Sequence, residues 1–217
     1  MKRKLELSQI RFKYKKDKLN IKGSHSNPFS QFSKWMNQAI RHNVPEPTAM
    51  ALATAGNYNK VSNRIVLLKS IKNSTFIFYT NLNSKKAKDL KKNNFVAAVF
   101  WWPEIGKQVR IEGKIKKMVS DNEADNYFST RSKKSQISAL ASNQSSIIPN
   151  WKYLKNKTEI LEKRFDNTVV NRPKFWSGYI IDPFLIEFWQ GRDNRLHDRI
   201  AYKKLNNKKW KKYRLSP

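Results

Sequence analysis

The strongest constraint on this fold is a succession of short apolar runs, rich in β-branched and aromatic residues and separated by polar turns. They lie at Ala49–Ala55, Ile65–Leu68, Phe76–Tyr79, Phe95–Trp101, Phe175–Ile181, Leu185–Trp189, Arg199–Tyr202 and Trp210–Leu215. Gln108–Met118 adds a strand with one wet face, since Val109, Ile111 and Ile115 alternate with Arg110, Glu112 and Lys116. Helical signals are fewer. Asn27-Pro28 starts a helix with Phe29, Phe32, Met36, Ala39 and Ile40 on one face, and Pro45 and Pro47 end it. Ser120-Asp121-Asn122-Glu123 is a capping box for a helix through Phe128. Ser132–Ser146 reads as part helix and part loop, and Asn150 caps a helix in which Leu154, Leu161 and Phe165 recur. Many strands with few helices predict a mainly β fold, a β-barrel with peripheral helices rather than a parallel βαβ sheet.

At 217 residues and 39% hydrophobic composition the chain can bury one substantial core. Residues 1–26 are polar and basic and read as a mobile arm or lid, and 27–217 read as a single domain. The absence of cysteine excludes disulfides, thiolate metal sites, Fe–S clusters and cysteine nucleophiles. Met1-Lys2-Arg3-Lys4 runs into further polar residues rather than a signal-peptide core, and no run reaches the roughly 20 apolar residues of a membrane span. A soluble, cytoplasmic protein with no membrane partner is expected.

The net charge of +29 raises the possibility of a basic nucleic-acid-binding protein, which would be colourless and bind DNA with steep salt dependence. The lysines are spread instead over nearly every loop and exposed face, for example Lys15-Lys16, Lys91-Lys92, Lys133-Lys134 and Lys208-Lys209. A dispersed pattern describes a solvated surface better than a binding stripe, and no specific nucleic-acid partner is expected.

The chemistry concentrates elsewhere. With no Gly-rich or Walker loop and six glycines in all, any phosphate must be held largely by side chains. Arg64 and Lys69 bracket Ile65-Val66-Leu67-Leu68. In a continuous strand the two cations would stand about 17 Å apart on opposite faces, at roughly 3.3 Å per residue, and would serve different anions. Tyr79-Thr80-Asn81-Leu82-Asn83-Ser84-Lys85-Lys86 is a strand end, a turn and a helix start whose free N–H groups make an anion site. Tyr127, Arg131 and Ser135 recur every four residues and would present one polar helical face, a second phosphate-sized donor set. His197, between Arg195 and Arg199 at strand spacing, would share one face with both, and their charges would hold it neutral at pH 7.

In this order these pieces resemble the pyridoxine/pyridoxamine 5′-phosphate oxidases. The match runs from Arg11 to Arg214-Leu215-Ser216-Pro217. Its most specific segments are Pro47-Thr48-Ala49-Met50, Arg64–Lys69, Phe78-Tyr79-Thr80-Asn81, Gln144-Ser145-Ser146, Ile186-Glu187-Phe188-Trp189-Gln190-Gly191 and Arg195-Leu196-His197-Asp198-Arg199. The resemblance implies an FMN-binding split β-barrel that works as a homodimer, with each flavin at the subunit interface. It implies oxidation of pyridoxamine or pyridoxine 5′-phosphate to pyridoxal 5′-phosphate, with O2 as electron acceptor and H2O2 as product.

By the same likeness Arg64, Lys85, Lys86, Gln144 and Ser145 hold FMN, chiefly at its phosphate. Ile65, Val66, Leu67, Leu68, Lys69, Tyr79 and Thr80 line the flavin, and Gln108, Trp189 and Arg199 contact it near the ring. Lys69, Tyr127, Arg131 and Ser135 take the substrate phosphate. Arg195 and His197, the catalytic candidates, position the pyridine together with Leu196, while Arg11 and Tyr14 cover it. The chain departs from the family pattern at Lys85, where arginine is usual, and at Trp176-Ser177-Gly178, where Trp-Gly-Gly is common. The second change is expected to alter a turn. An FMN-binding split-barrel reductase with another substrate would not need the substrate set of Lys69, Tyr127, Arg131, Ser135, Arg195 and His197 together.

Overall fold

Asn27 caps the first helix by accepting a hydrogen bond from the Phe29 N–H at 2.8 Å, and Pro28 takes the first helical position of α1 (Pro28–Arg41). The computed structural model describes Tyr14 and residues 17–217, so Arg11 lies outside the described residues. The buried face of α1 carries Phe29, Phe32, Trp35 and Ala39, whereas Ile40 is exposed. The helix turns its indole inward where the spacing alone put Ile40.

The remaining elements are β1 (Ala49–Ala55), β2 (Val61–Leu67), β3 (Ser70–Lys72), β4 (Thr75–Asn81), α2 (Lys85–Lys92), β5 (Phe95–Trp102), β6 (Lys107–Met118), α3 (Asp121–Ser129), α4 (Lys133–Ala141), α5 (Trp151–Arg164), β7 (Trp176–Gln190), β8 (Asp198–Lys204) and β9 (Trp210–Leu215). Hydrogen-bonded neighbours run β2-β1-β5-β6-β7-β4-β3, with β8 beside β7 and β9 beside β8. The mainly β reading holds. Two expected runs, at 175–181 and 185–189, are one strand, β7. Pro183 is tolerated there because it falls between the residues paired with β4, which end at Ile181, and those paired with β8, which begin at Leu185.

By contacts the described chain divides into two compact units, where the sequence reading had one domain over 27–217. One unit contains 48–98 and 112–183, the other the N-terminal residues to Pro47, 99–111 and 184–217, so β5, β6 and β7 contribute residues to both. In the first, Met50, Leu52, Phe76, Ile77, Phe78 and Ile181 are buried, and a satellite core of Phe128, Ile137, Val170 and Trp176 lies under Leu161 and Phe165 of the α5 region. In the second, Phe32 meets Phe100 edge-on at 5.0 Å, Trp35 meets Phe188 at 5.2 Å, and Phe188 meets Tyr202 at 5.5 Å.

The segment 17–26 packs against β8 and β9. Leu19 is buried and its N–H donates to Asp198, Tyr202 Oη donates to the His25 carbonyl at 2.7 Å, and Lys212 Nζ donates to the Ile21 and Ser24 carbonyls. Backbone acceptors in an irregular stretch satisfied by side chains from β8 and β9 explain why no periodicity announced it. Among the described residues no helix is long and apolar enough to cross a membrane.

Candidate functional site

β2 ends at Leu67, not at Lys69. The Leu68 N–H donates to the Thr48 carbonyl and the Lys69 N–H to the Ile77 carbonyl, so the backbone leaves the β1 ladder for β4 just where the alternation argument needed it to continue. Lys69 and Arg64 consequently line the same cavity, of about 930 Å³, rather than separate faces. That volume lies within the range of roughly 300–1,000 Å³ usual for small-molecule sites. Ile65, Val66, Leu67, Tyr79, Thr80, Lys85, Lys86, Tyr127, Arg131, Ser135, Gln144 and Ser145 line it too, as do Ser132 and Trp176. Leu68 does not; it is buried in the core.

One donor set gathers at the start of α2. The Ser84 hydroxyl accepts from the Ala87 N–H, leaving Lys85 and Lys86 in a first helical turn where backbone N–H groups and the helix dipole favour an anion. Lys86 Nζ donates to Gln144 Oε1 at 2.8 Å and Thr80 Oγ1 at 2.9 Å. Burial, reinforced by the positive charge of Arg64, lowers its pKa to about 8. The Lys85 N–H donates to Ser145 Oγ, and Ser145 adopts a left-handed backbone at φ 72°, a conformation that costs on the order of 1–3 kcal/mol and tends to persist at functional sites.

A carboxylate that the sequence did not announce organises the same corner. Asp89 Oδ2 accepts from Thr54 Oγ1 at 2.9 Å, Ser62 Oγ at 3.0 Å and Lys85 Nζ at 3.0 Å, with Arg64 Nη2 3.9 Å away. Burial pushes Asp89 toward the neutral acid, but hydrogen bonds from Lys85, Thr54 and Ser62 outweigh it and hold the pKa below the usual carboxylate value. Arg64 itself donates to the Leu52 carbonyl and Thr54 Oγ1, which its register opposite Leu52 permits.

The second donor set spans two helices rather than one face. α3 ends at Ser129, and Ser132 caps α4 by accepting from the Ser135 N–H. Tyr79 and Tyr127 stack at 4.1 Å between ring centroids, and Tyr79 and Trp176 at 5.3 Å. The Arg131 guanidinium carbon lies 4.9 Å from the Trp176 ring. Arg131 Nη1 is buried and has no hydrogen-bond partner, an arrangement that costs energy unless a ligand supplies the acceptor. Ser177 is the second residue of β7 and pairs with Thr80 in the β4–β7 ladder, so the departure from Trp-Gly-Gly falls in a strand and not in the expected turn.

A third cluster belongs to the other unit. Arg195 lies in a short helical turn with φ 60°, Leu196 is exposed, and only Arg199 is in β8, so the expected strand spacing of Arg195, His197 and Arg199 is absent. The Asn194 and Arg195 left-handed pair breaks the strand before it starts. His197 Nδ1 accepts from the Arg192 N–H at 3.1 Å, and its ring lies 4.5 Å from Trp189 and 5.6 Å from Tyr14. Burial first, and the Arg195 charge second, lower the His197 pKa, which keeps the imidazole neutral at pH 7. Arg199 donates to the buried Glu187 at 2.8 Å and to the Ser216 carbonyl, while Arg110 takes the other Glu187 oxygen at 3.0 Å. Gln108 is half-buried on β6 in this unit.

The comparisons agree with this architecture. The family model described as pyridoxamine 5′-phosphate oxidase matches residues 36–163, and that described as pyridoxine 5′-phosphate oxidase C-terminal dimerisation region matches 176–217. A pyridoxine/pyridoxamine 5′-phosphate oxidase of Acaryochloris marina is 44% identical over 97% of this chain and 95% of its own length. One of Haemophilus influenzae is 44% identical over 98% of this chain and 100% of its own. The solved structure of PhzG from Burkholderia lata, in complex with tetrahydrophenazine-1-carboxylic acid, has a TM-score of 0.86 at 29% identity, covering 93% of this chain and 98% of that one. A pyridoxamine 5′-phosphate oxidase-related, FMN-binding protein from Nostoc punctiforme has the same fold at a TM-score of 0.69 and 12% identity, covering 86% of this chain and 97% of that one. The chain therefore belongs to the pyridoxamine 5′-phosphate oxidase family.

Proposed function

We propose that this protein is an FMN-dependent oxidase that converts pyridoxamine or pyridoxine 5′-phosphate to pyridoxal 5′-phosphate, acting as a homodimer. The observation that carries the reading is the buried, unpartnered Arg131 Nη1 in a cavity that also holds a separate cationic set around Lys86. Two phosphate monoesters need two such sets, and FMN with a phosphorylated pyridine brings two. The residues fit FMN: a helix N-terminus, the Lys85 and Lys86 ammonium groups and Arg64 match a dianionic monoester, and the Ile65-Val66-Leu67 segment with Tyr79 offers a partly apolar wall.

FMN held by these residues would supply hydride-accepting chemistry for the 4′-carbon of the substrate, with O2 as the final electron acceptor and H2O2 as product. The protein's own work is positional. Arg64, Lys85, Lys86, Gln144 and Ser145 anchor the flavin phosphate. Lys69, Tyr127, Arg131 and Ser135 hold the substrate phosphate, and Tyr79 and Trp176 fix the Tyr127 ring behind it. His197, neutral and oriented by the Arg192 N–H, and Arg195 contact the substrate ring without serving as strong bases. That last assignment, with those of Leu196 to the substrate and of Gln108, Trp189 and Arg199 to the flavin ring, draws its support from the family resemblance and from assembly as a dimer. The dimerisation-region match over 176–217 supports that assembly.

The test is spectroscopic. Purified protein is expected to be yellow, and anaerobic addition of pyridoxamine 5′-phosphate is expected to bleach the flavin band, with recovery on admitting air. A flavin-loaded protein whose band is unmoved would favour a split-barrel reductase acting on another substrate. A colourless protein that binds no FMN would sink the flavoenzyme reading itself.

A further inference from the structure

Arg172 lies in the loop that leads into β7, four residues before Trp176, and its side chain is 8% exposed. Each of its three nitrogens makes a hydrogen bond. Nη1 donates to the Trp176 carbonyl at 2.8 Å, Nη2 to Asp121 Oδ1 at 2.7 Å, and Nε to Asp125 Oδ1 at 2.5 Å. Asp121 and Asp125 are one turn apart on α3, and both are otherwise largely solvent-exposed. One guanidinium thus clips the outer face of α3 to the first residue of β7, a planar fork that a lysine cannot reproduce.

The two parts that it joins are the two parts of the second donor set. α3 carries Tyr127 and leads directly to Arg131. β7 begins with Trp176, whose ring stacks parallel to Tyr127, 6.0 Å away and 10° from coplanar, and lies beneath the Arg131 guanidinium. The separation of the Trp176 backbone from α3 therefore sets where the Tyr127 hydroxyl and Arg131 Nη1 stand. These parts also meet through stacked rings, the apolar cluster of Phe128, Ile137, Val170 and Trp176, and the Val119 N–H to the Gly178 carbonyl; the charge-assisted hydrogen bonds of Arg172 add a directional tie at Trp176 itself.

We propose that Arg172 is a positioning residue for recognition of the substrate phosphate, holding α3 against Trp176 so that Tyr127 and Arg131 converge on one monoester. This rests on the oxidase reading above, and it adds a residue that touches neither substrate nor flavin.

The test compares pyridoxamine 5′-phosphate with unphosphorylated pyridoxamine on flavin-loaded wild type, Arg172→Ala, Arg172→Lys and the surface double variant Asp121→Asn/Asp125→Asn. The KM for the phosphorylated substrate is expected to rise by about tenfold in Arg172→Ala, with kcat held within about twofold and the constants for pyridoxamine little changed. Arg172→Lys is expected to fall between the two. The double variant keeps both helices and the buried guanidinium, so it reports even if Arg172→Ala folds poorly, and a rise of several-fold is expected there. A merely structural role would lower Tm and shift both substrates alike. Equal loss for both substrates, or an unchanged KM for the phosphorylated one in the double variant, would overturn the proposal. A wild type that fails to oxidise pyridoxamine 5′-phosphate at all would overturn the oxidase reading instead, so the two failures are distinct.

Discussion

Lys86 is the residue whose charge state would govern the proposed flavin-phosphate set. Its ordinary value of 10.5 is lowered to about 8 in the folded apoprotein by burial, with Arg64 adding to the effect. The sign follows directly. Between about 8 and 10.5 the unfolded chain holds this proton and the folded chain has released it, so the group makes apoprotein stability rise with pH across that window; below 8 its buried charge is a standing cost. A dianionic monoester prefers the ammonium, so flavin binding takes up a proton and weakens as pH passes upward through 8. The Kd for FMN, measured by fluorescence quenching on apoprotein, is expected to climb above pH 8 by at most about tenfold per pH unit. In Lys86→Met the Kd should be higher throughout and flat over the same range. A wild-type profile with no rise above pH 8 would remove Lys86 from the phosphate set.

At the scale of elements, β7 shows how a local change reaches the site. A methyl group at Gly178 would lie 2.8 Å from a ring carbon of Tyr79, which stacks on Tyr127. Gly178→Ala is expected to cost about 1–3 kcal/mol, read as a lower urea midpoint at unchanged m-value. It should also weaken binding of the phosphorylated substrate, because Tyr127 moves with Tyr79. Retention of both the urea midpoint and the KM would show that Tyr79 has room to turn.

What was legible in the sequence follows the same division. The capped starts of α2, α3 and α5 were readable because each depends on residues within a turn of one another. Asp89 and Glu187 were not. Asp89 gains its meaning from Thr54 and Ser62, 35 and 27 residues earlier in the chain, which the β1–β2 register sets opposite each other, and Glu187 from Arg110 and Arg199 on different strands. The strand spacing assumed for Arg195 and His197 failed for a related reason, since the left-handed pair at Asn194 and Arg195 carries no glycine to announce it.

For the whole molecule, the charge of +29 is a poor guide to function and a fair guide to behaviour. Five of the 45 Lys and Arg side chains, Arg64, Lys69, Lys85, Lys86 and Arg131, account for the cationic lining of the cavity, and the surplus is spread over the surface. Because a ligand that binds only the folded state stabilises it by mass action, FMN at a hundred times its Kd should add about 2.7 kcal/mol to the unfolding free energy. For a chain of this size that corresponds to a rise in Tm on the order of 5–10 °C. Riboflavin, which lacks the monoester, should give a much smaller rise, and equal shifts for the two would show that the cations grip nothing.

One detail near the C-terminal end of β7 has a consequence for the N-terminal residues. A Cβ on Gly191 would come within 2.2 Å of the Tyr14 ring, the ring that meets Trp189 and His197 edge-on. A single hydrogen atom is thus all that the backbone can present beneath that phenol, and any side chain introduced at 191 would act as a wedge, prising the aromatic cap from the imidazole and letting bulk water reach it.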